Sequence, residues 1–398
     1  MGDLSNWGAG ANILKGLIGL GVLTLPYVTK LVGWLPSLVG MALIALLSLQ
    51  SIFFAVMSRV VLEKTQNDDE ATPLQKLPDS LAGLSCFDAT VQRALGPIGL
   101  AIFMVCVALA QLTTVVAYLD VLAESAESYV ENDDRIRSLS LLGVVVCLLS
   151  LVKTLSGVSV LSYVGLSAYG LVFLTLLARF LCAVSTGTLG GAVAVRHKNA
   201  DYATWFGVSA FAFGALPVSL VVYDDMREPA QFFKVVAIAY VICWLFYSAV
   251  ALLGFWCYGR STHQVIYFNF ESGSFGRNAS LLMICLVLLV TYVLQMMPLY
   301  RCAEVFFEES IPYQVVRTML VVFTLVVAYF IPSSTAAMTL GGTFAACISA
   351  FVLPPVVYLT VHPKPGWSGK TLAIILIVVG TAGAGLGICQ FGNELSYH

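Results

Sequence analysis

The chain has 398 residues, of which 59% are hydrophobic and 11% charged, with a formal net charge of −2. Soluble domains run at about one half apolar and one quarter charged, so a soluble globular protein is excluded, and the charge gives no argument for a nucleic-acid partner. The apolar residues fall in separate runs of about 20, the length that crosses ~30 Å of hydrocarbon as a helix. They do not alternate with polar residues as the strands of a membrane barrel do. The composition describes an all-α polytopic membrane protein.

Span 1, about residues 8–30, carries Gly16, Gly19, Gly21 and Pro26, with Lys15 as a cation deep in the run. Each glycine weakens a helix by roughly 1 kcal/mol relative to alanine. Irregular backbone at membrane depth survives only where protein or a water-filled cavity surrounds it. The stretch NILKGLIGLGVLTLP, Asn12 to Pro26, is therefore expected to be a broken helix. Span 2 runs from Gly33 to about Leu62. A polar connection follows, Glu63 to Asp88, expected as a mobile loop. Its end, FDATVQRALGPIG, reads as a short interfacial helix leading into span 3, about 97–130.

Spans 4 and 5 cover about 138–154 and 158–184, and span 6 about 203–223. Span 6 repeats the pattern of span 1, with Gly207 and Gly214 followed by Pro217. The cluster Asp224, Asp225, Arg227, Glu228 comes next, then span 7, about 231–258. Spans 8 to 11 fall at about 279–307, 313–331, 335–360 and 371–390, giving eleven in all. Lysine and arginine lie in slight excess on the side that holds the N-terminus, which makes that terminus cytosolic. No basic n-region precedes span 1, so no signal peptide is expected.

Paired spans interrupted by Gly and Pro at matching places of two halves point to an inverted-repeat transporter site. Spans 1 and 6 are five apart, and five is odd, so the second repeat enters the membrane from the opposite side. The division is a first repeat over 1–185, a second over 200–360, and span 11 with the tail over 361–398.

The sequence resembles the amino acid/auxin permease family of the amino acid–polyamine–cation superfamily, and is most similar to its short proton-coupled and vacuolar amino acid transporters. The likeness is carried by NILKGLIGLGVLTLPY (Asn12–Tyr27), FDATVQRALGPIG, and TYVLQMMPLYRCAEVFF in span 8. Arg317, the pair Ile331-Pro332, the Gly341-Gly342 pair and the Pro354-Pro355 pair complete it. The resemblance implies a LeuT-type five-plus-five inverted repeat with an added eleventh helix. It also implies alternating access, with spans 1, 2, 6 and 7 moving against 3, 4, 8 and 9. Two places depart from the family pattern. Asn12 stands where some proton-coupled members carry His. Tyr223-Asp224-Asp225-Met226 replaces a carboxylate-Asn-x-Met segment.

An unwound segment exposes orphan N–H groups on one half-helix and orphan carbonyls on the other. The backbone of Gly16, Leu17, Ile18, Gly19 and Gly21 is the expected substrate site: N–H groups for a carboxylate, carbonyls for an ammonium. The same glycines would also allow close helix packing. Phe211, Phe213 and Gly214 of span 6 and Tyr118 of span 3 are the further lining candidates. Asn12, Lys15, Thr291, Gln295 and Asp224 are candidates for the coupling ion or a gate. Thr291 and Gln295 are four apart and share a helix face. An intramembrane lysine is a functional hypothesis by default; snorkelling toward an interface is the other account of Lys15. Asp120 and Glu124 are read as marking the end of span 3.

Together these features give a secondary active transporter of small neutral amino acids, driven by a proton or sodium gradient, working as a monomer in a plasma, vacuolar or lysosomal membrane. Its partners are an amino acid and the bilayer; no metal, cofactor or nucleic acid is expected. The alternatives are an amino acid sensor of the same fold, or a transporter of an amino-acid-like molecule such as auxin. An enzyme would want titratable clusters in the spans, and no histidine lies in one.

Overall fold

The computed structural model describes residues 4–68, 87–128, 135–151, 158–190, 199–306, 312–331, 333–362 and 365–396. In chain order the helices are α1 (Asn6–Leu17), α2 (Gly21–Val32), α3 (Trp34–Asp68), α4 (Asp88–Glu127), α5 (Arg135–Ser150), α6 (Val158–Thr186) and α7 (Asn199–Ala212). Then come α8 (Leu216–Asp225), α9 (Phe232–Tyr258), α10 (Phe275–Phe306), α11 (Tyr313–Phe330), α12 (Ser334–Leu340), α13 (Leu353–Val361) and α14 (Trp367–Ser396). Among the described residues, nine helical segments are long and apolar enough to cross a membrane, and the bent pair α1–α2 makes a tenth. The eleventh expected span corresponds to α5, whose 16 described residues fall short of a full crossing. The polar connection is shorter than expected, because α3 continues as helix to Asp68; the rest of it, 69–86, lies outside the described residues.

Local chemistry sets several of these boundaries. The Ser5 hydroxyl caps α1 by accepting from Gly8 N at 3.2 Å, satisfying one orphan donor of the first turn. The interfacial helix and span 3 form one element, α4, bent at Gly96, whose φ of 72° is open to glycine. Pro97 follows immediately and starts the membrane run. Span 10 is not a plain helix: α12 passes into a π-helical stretch, Gly341–Val352, before Pro354 opens α13. π geometry marks inserted turns at functional sites in other helices, and no composition signal announces it here.

Packing explains the glycine pairs. A Cβ on Gly342 would collide with the backbone of Gly207, so these two residues let the π stretch and α7 touch main chain to main chain. Gly383 and Gly387 of α14 leave room for Phe206 and Thr343, the close packing that a glycine-rich last span provides. The outer faces are apolar: Leu141, Leu148, Leu174, Leu181, Leu245 and Met319 are exposed. Exposed apolar surface on this scale suits hydrocarbon and not water.

On the face of the protein that holds the N-terminus, Leu4 pairs with the chain after α8: Leu4 N donates to Asp225 O and Arg227 N donates to Leu4 O, at 2.9 and 3.0 Å. Asn6 adds a bond to Glu228 at 3.3 Å, and Asp224 pairs with Arg59 of α3. The acidic cluster after span 6 is thus an ion-paired edge that ties α1, α3 and α8 together.

On the opposite face, the loop 259–270 between α9 and α10 lies across the ends of three spans. Lys30 of α2 donates to Thr262 O at 2.7 Å, Ser125 of α4 shares a 2.9 Å bond with Tyr267, and Ser333 meets Gln264 at 3.1 Å. His263 completes the latch, with Nε2 3.3 Å from Glu124 Oε1 and Nδ1 accepting from Val265 N at 3.4 Å. The Val265 donor requires a bare Nδ1, which places the imidazole hydrogen on Nε2, toward Glu124. Burial, with the Lys30 ammonium nearby, pushes the imidazole below its ordinary 6.5. Folding therefore favours neutral His263, and its contribution is complete above the ordinary value and lost as pH falls through the depressed one. In a Glu124→Gln background, which removes the neighbouring carboxyl that also titrates, hydrogen exchange of 259–270, corrected for intrinsic rates, should be faster at about pH 5 than at about pH 7.5, and adding His263→Gln should remove the difference.

Candidate functional site

The first break spans Ile18 to Leu20, where α1 and α2 meet at a bend of 55°. Ile18 N still bonds back to Leu14 O at 2.8 Å, and Val22 N and Leu23 N reach only Gly19 O and Leu20 O. The N–H groups of Gly19 and Leu20 have no backbone acceptor among the described residues. They are orphan donors at the positive end of α2, where an anionic group is stabilised. The second break spans Phe213 to Ala215, between α7 and α8. No side chain caps α8, and Pro217 sits in its first turn, a position where its missing N–H costs nothing.

A cavity of about 240 Å³ lies against the first break. Span 1 contributes Lys15, Gly16, Ile18 and Gly19, and α8 contributes Val218. Tyr118 comes from α4, Gly165, Leu166 and Tyr169 from α6, and Val287, Leu288, Thr291, Leu294 and Gln295 from α10. The Thr291 hydroxyl donates to Val287 O at 2.7 Å, which leaves its lone pairs for a ligand. The Tyr118 hydroxyl interacts with the Gln295 side chain. Apart from Lys15, the lining side chains are uncharged, and most are apolar.

The candidates from the sequence divide accordingly. Gly16, Ile18, Gly19, Tyr118, Lys15, Thr291 and Gln295 come together at the cavity wall. The other seven do not line it. Leu17 is buried, and its carbonyl already accepts from Tyr247 at 2.5 Å. A Cβ on Gly21 would press on Ala212 at 3.0 Å, so Gly21 serves the contact of α2 with α7. Phe213 is fully buried among Tyr240 and Tyr247, at ring distances of 6.2 and 5.1 Å. Phe211 packs beside Gly21 and Gly341, and a Cβ on Gly214 would meet Phe211 O at 3.2 Å. Asn12, half-buried on α1, is one turn away from the cavity residues, and Asp224 is held at the edge by Arg59. Aromatic rings and glycines in span 6 are packing elements because the break turns Val218, not Phe211, toward the cavity.

Gly165, Leu166, Tyr169, Val218, Val287, Leu288 and Leu294 are the lining residues that sequence reasoning missed. Val287 was within reach: it is one turn before Thr291 on the face that Thr291 and Gln295 define. Tyr169 and Val218 carry no such signal.

Asp120 also differs from its reading as the end of a span. It is 4% exposed, and both carboxylate oxygens are engaged. Oδ1 accepts from Arg135 Nη2 at 2.6 Å and Oδ2 from Ser334 N, the first residue of α12, at 2.5 Å. One side chain thereby ties α4, α5 and α12 together half a turn beyond Tyr118.

The geometry has counterparts among known proteins. The crystal structure of the Eremococcus coleocola manganese transporter superposes with a TM-score of 0.54 at 14% identity, covering 97% of this chain and 87% of that one. At that identity the likeness is one of fold, and the fold is the LeuT type. In sequence, the chain is 24% identical over 388 residues to Amino acid transporter AVT1E of Arabidopsis thaliana, covering 92% of this chain and 69% of that protein. It is 26% identical over 408 residues to Amino acid transporter AVT1C of the same plant, covering 94% and 67%. A third match, to Amino acid transporter AVT3C of that plant, reaches 28% over 177 residues but takes in only 44% of this chain and 40% of that protein. The profile of the family described as "Transmembrane amino acid transporter protein" matches residues 2–391. Nearly the whole chain, both helix breaks included, is covered by that profile, and the chain belongs to this family of multi-pass membrane transporters, which are not enzymes.

Proposed function

We propose that this chain is a secondary active transporter of small neutral amino acids, driven by a proton gradient, with sodium as the alternative coupling ion. The observation that carries the reading is the single cavity bounded by Gly16, Ile18 and Gly19 of the first break and by Val218 just past the second. A zwitterion fits the polarity of the first break. Its carboxylate meets the orphan N–H groups of Gly19 and Leu20, and its ammonium faces the carbonyl end of α1. Tyr118, Leu166, Tyr169, Val287 and Leu288 form walls suited to a short uncharged side chain. Thr291, facing span 1 across the cavity, and Asn12 are the proposed coupling-ion groups, and the Asp224–Arg59 edge is the proposed inner gate. The two repeats, 1–185 and 200–360, rock about this site, with 361–398 outside both. The working unit is a monomer, with the N-terminus in the cytosol of a plasma, vacuolar or lysosomal membrane.

Uptake into proteoliposomes across an amino acid panel, under imposed proton and sodium gradients, tests the proposal. Accumulation of alanine-sized neutral amino acids under the proton gradient is the expected result. Absence of accumulation under both gradients would sink it.

A further inference from the structure

Tyr247 of α9 lies at a point where two chain breaks meet. Leu17 O is the last carbonyl of α1 and Ala212 O the last of α7, so both belong to the orphan acceptors that a helix end leaves. The two are far apart in sequence, yet the same hydroxyl oxygen sits 2.5 Å from Leu17 O and 3.2 Å from Ala212 O. Tyr247 is fully buried. Its one O–H lies between two carbonyl oxygens whose negative ends converge, and it offsets their repulsion. Seven residues earlier on the same helix face, Tyr240 donates to Phe213 O at 3.1 Å, the next carbonyl along the second break. The Phe213 ring packs against both tyrosines. Tyr240 therefore serves one break, whereas Tyr247 serves both.

We infer that Tyr247 is a positioning residue that ties the two breaks together, so that the backbone of spans 1 and 6 holds one register around the substrate. The inference rests on the proposed site for its functional consequence, but not for its structural one. With the hydroxyl in place, the Leu17 peptide is turned away from the cavity and its neighbours Ile18 and Gly19 face it. Without it, two buried carbonyls compete for no donor, and each break is free to twist on its own.

Hydrogen exchange and uptake on the purified, reconstituted protein test this. A buried hydrogen bond contributes about 0.5–1.5 kcal/mol, so Tyr247→Phe should raise exchange about 3- to 10-fold. The rise should appear together at 17–21 and at 212–216. Tyr240→Phe should raise it at 212–216 alone. In uptake, Tyr247→Phe should raise KM by about the same factor with the maximal rate within about twofold. Should Tyr247→Phe fail to fold, 2,3-difluorotyrosine at position 247, a stronger donor of the same shape, should slow exchange at both breaks. Exchange altered at one break only, or at neither, overturns the inference, as does an unchanged KM. If the native chain transports no amino acid, the proposed function falls while the exchange result still decides the role of Tyr247.

Discussion

Gly19→Leu should abolish uptake while the protein still inserts and folds. Gly19 is the glycine of the first break that faces open space: a Cβ there would meet only Leu17 O, at 3.9 Å. The backbone can therefore carry a side chain, and that side chain must enter the cavity of about 240 Å³. A leucine there takes the volume of the substrate and covers the orphan N–H groups that would receive its carboxylate. Loss of that pairing is worth at least about 2.7 kcal/mol, or roughly a hundredfold in apparent affinity. Gly16→Val is the informative contrast, because a Cβ at Gly16 already presses on Val218 at 3.0–3.2 Å. That variant should lose thermal stability as well as uptake, since overpacking typically costs about 1–3 kcal/mol. Gel-filtration profiles and binding isotherms of the two variants separate an occupied site from a strained fold.

The second large effect belongs to Asp120. Its carboxyl is nearly buried and its partner Arg135 is a quarter exposed, with side-chain exposures of 6% and 24%. Removing one member of such a pair leaves the other charge uncompensated, which costs about 3–5 kcal/mol when fully buried. The lower end applies because Arg135 retains some water. Asp120→Ala also strips the acceptor from Ser334 N at the start of α12, where a negative charge is favoured by the helix dipole. Asp120→Ala should therefore lower the apparent melting temperature by several degrees, and Arg135→Ala, which strands the more deeply buried carboxylate, should lower it by at least as much. Both should increase solvent exchange at 334–340. Glu124→Gln, which keeps a hydrogen-bonding group opposite His263 of the loop, should lower the melting temperature less than Asp120→Ala.

The parts that were legible in the sequence are those written in backbone chemistry. Clustered glycine and proline at Asn12–Pro26 and again around Pro217 mark the two broken helices, because they act through propensity and missing donors. The shared face of Thr291 and Gln295 follows from helical period alone. The illegible parts depend on which helices meet. Tyr247 is one aromatic residue among many in the apolar run of α9, and nothing local distinguishes it from a packing residue. Its role exists only because α1 and α7 end beside it. Gly21 and Gly16 read like Gly19, yet their neighbours Ala212 and Val218 make them contacts between spans. Asp120 near the end of an apolar run looks like a boundary; it is buried because Arg135 and α12 arrive from elsewhere to compensate it. The π stretch Gly341–Val352 is likewise a response to packing, where main chain of the span lies against Gly207.

The most direct measurement is the position of a bound amino acid in a density map of the protein saturated with a transported substrate. Density is expected in the cavity, with the carboxylate within hydrogen-bonding distance of the N–H groups of Gly19 and Leu20 and the side chain against Tyr118, Tyr169 and Val287. Density elsewhere, or a carboxylate held by Lys15 with both N–H groups left empty, would contradict the proposed site.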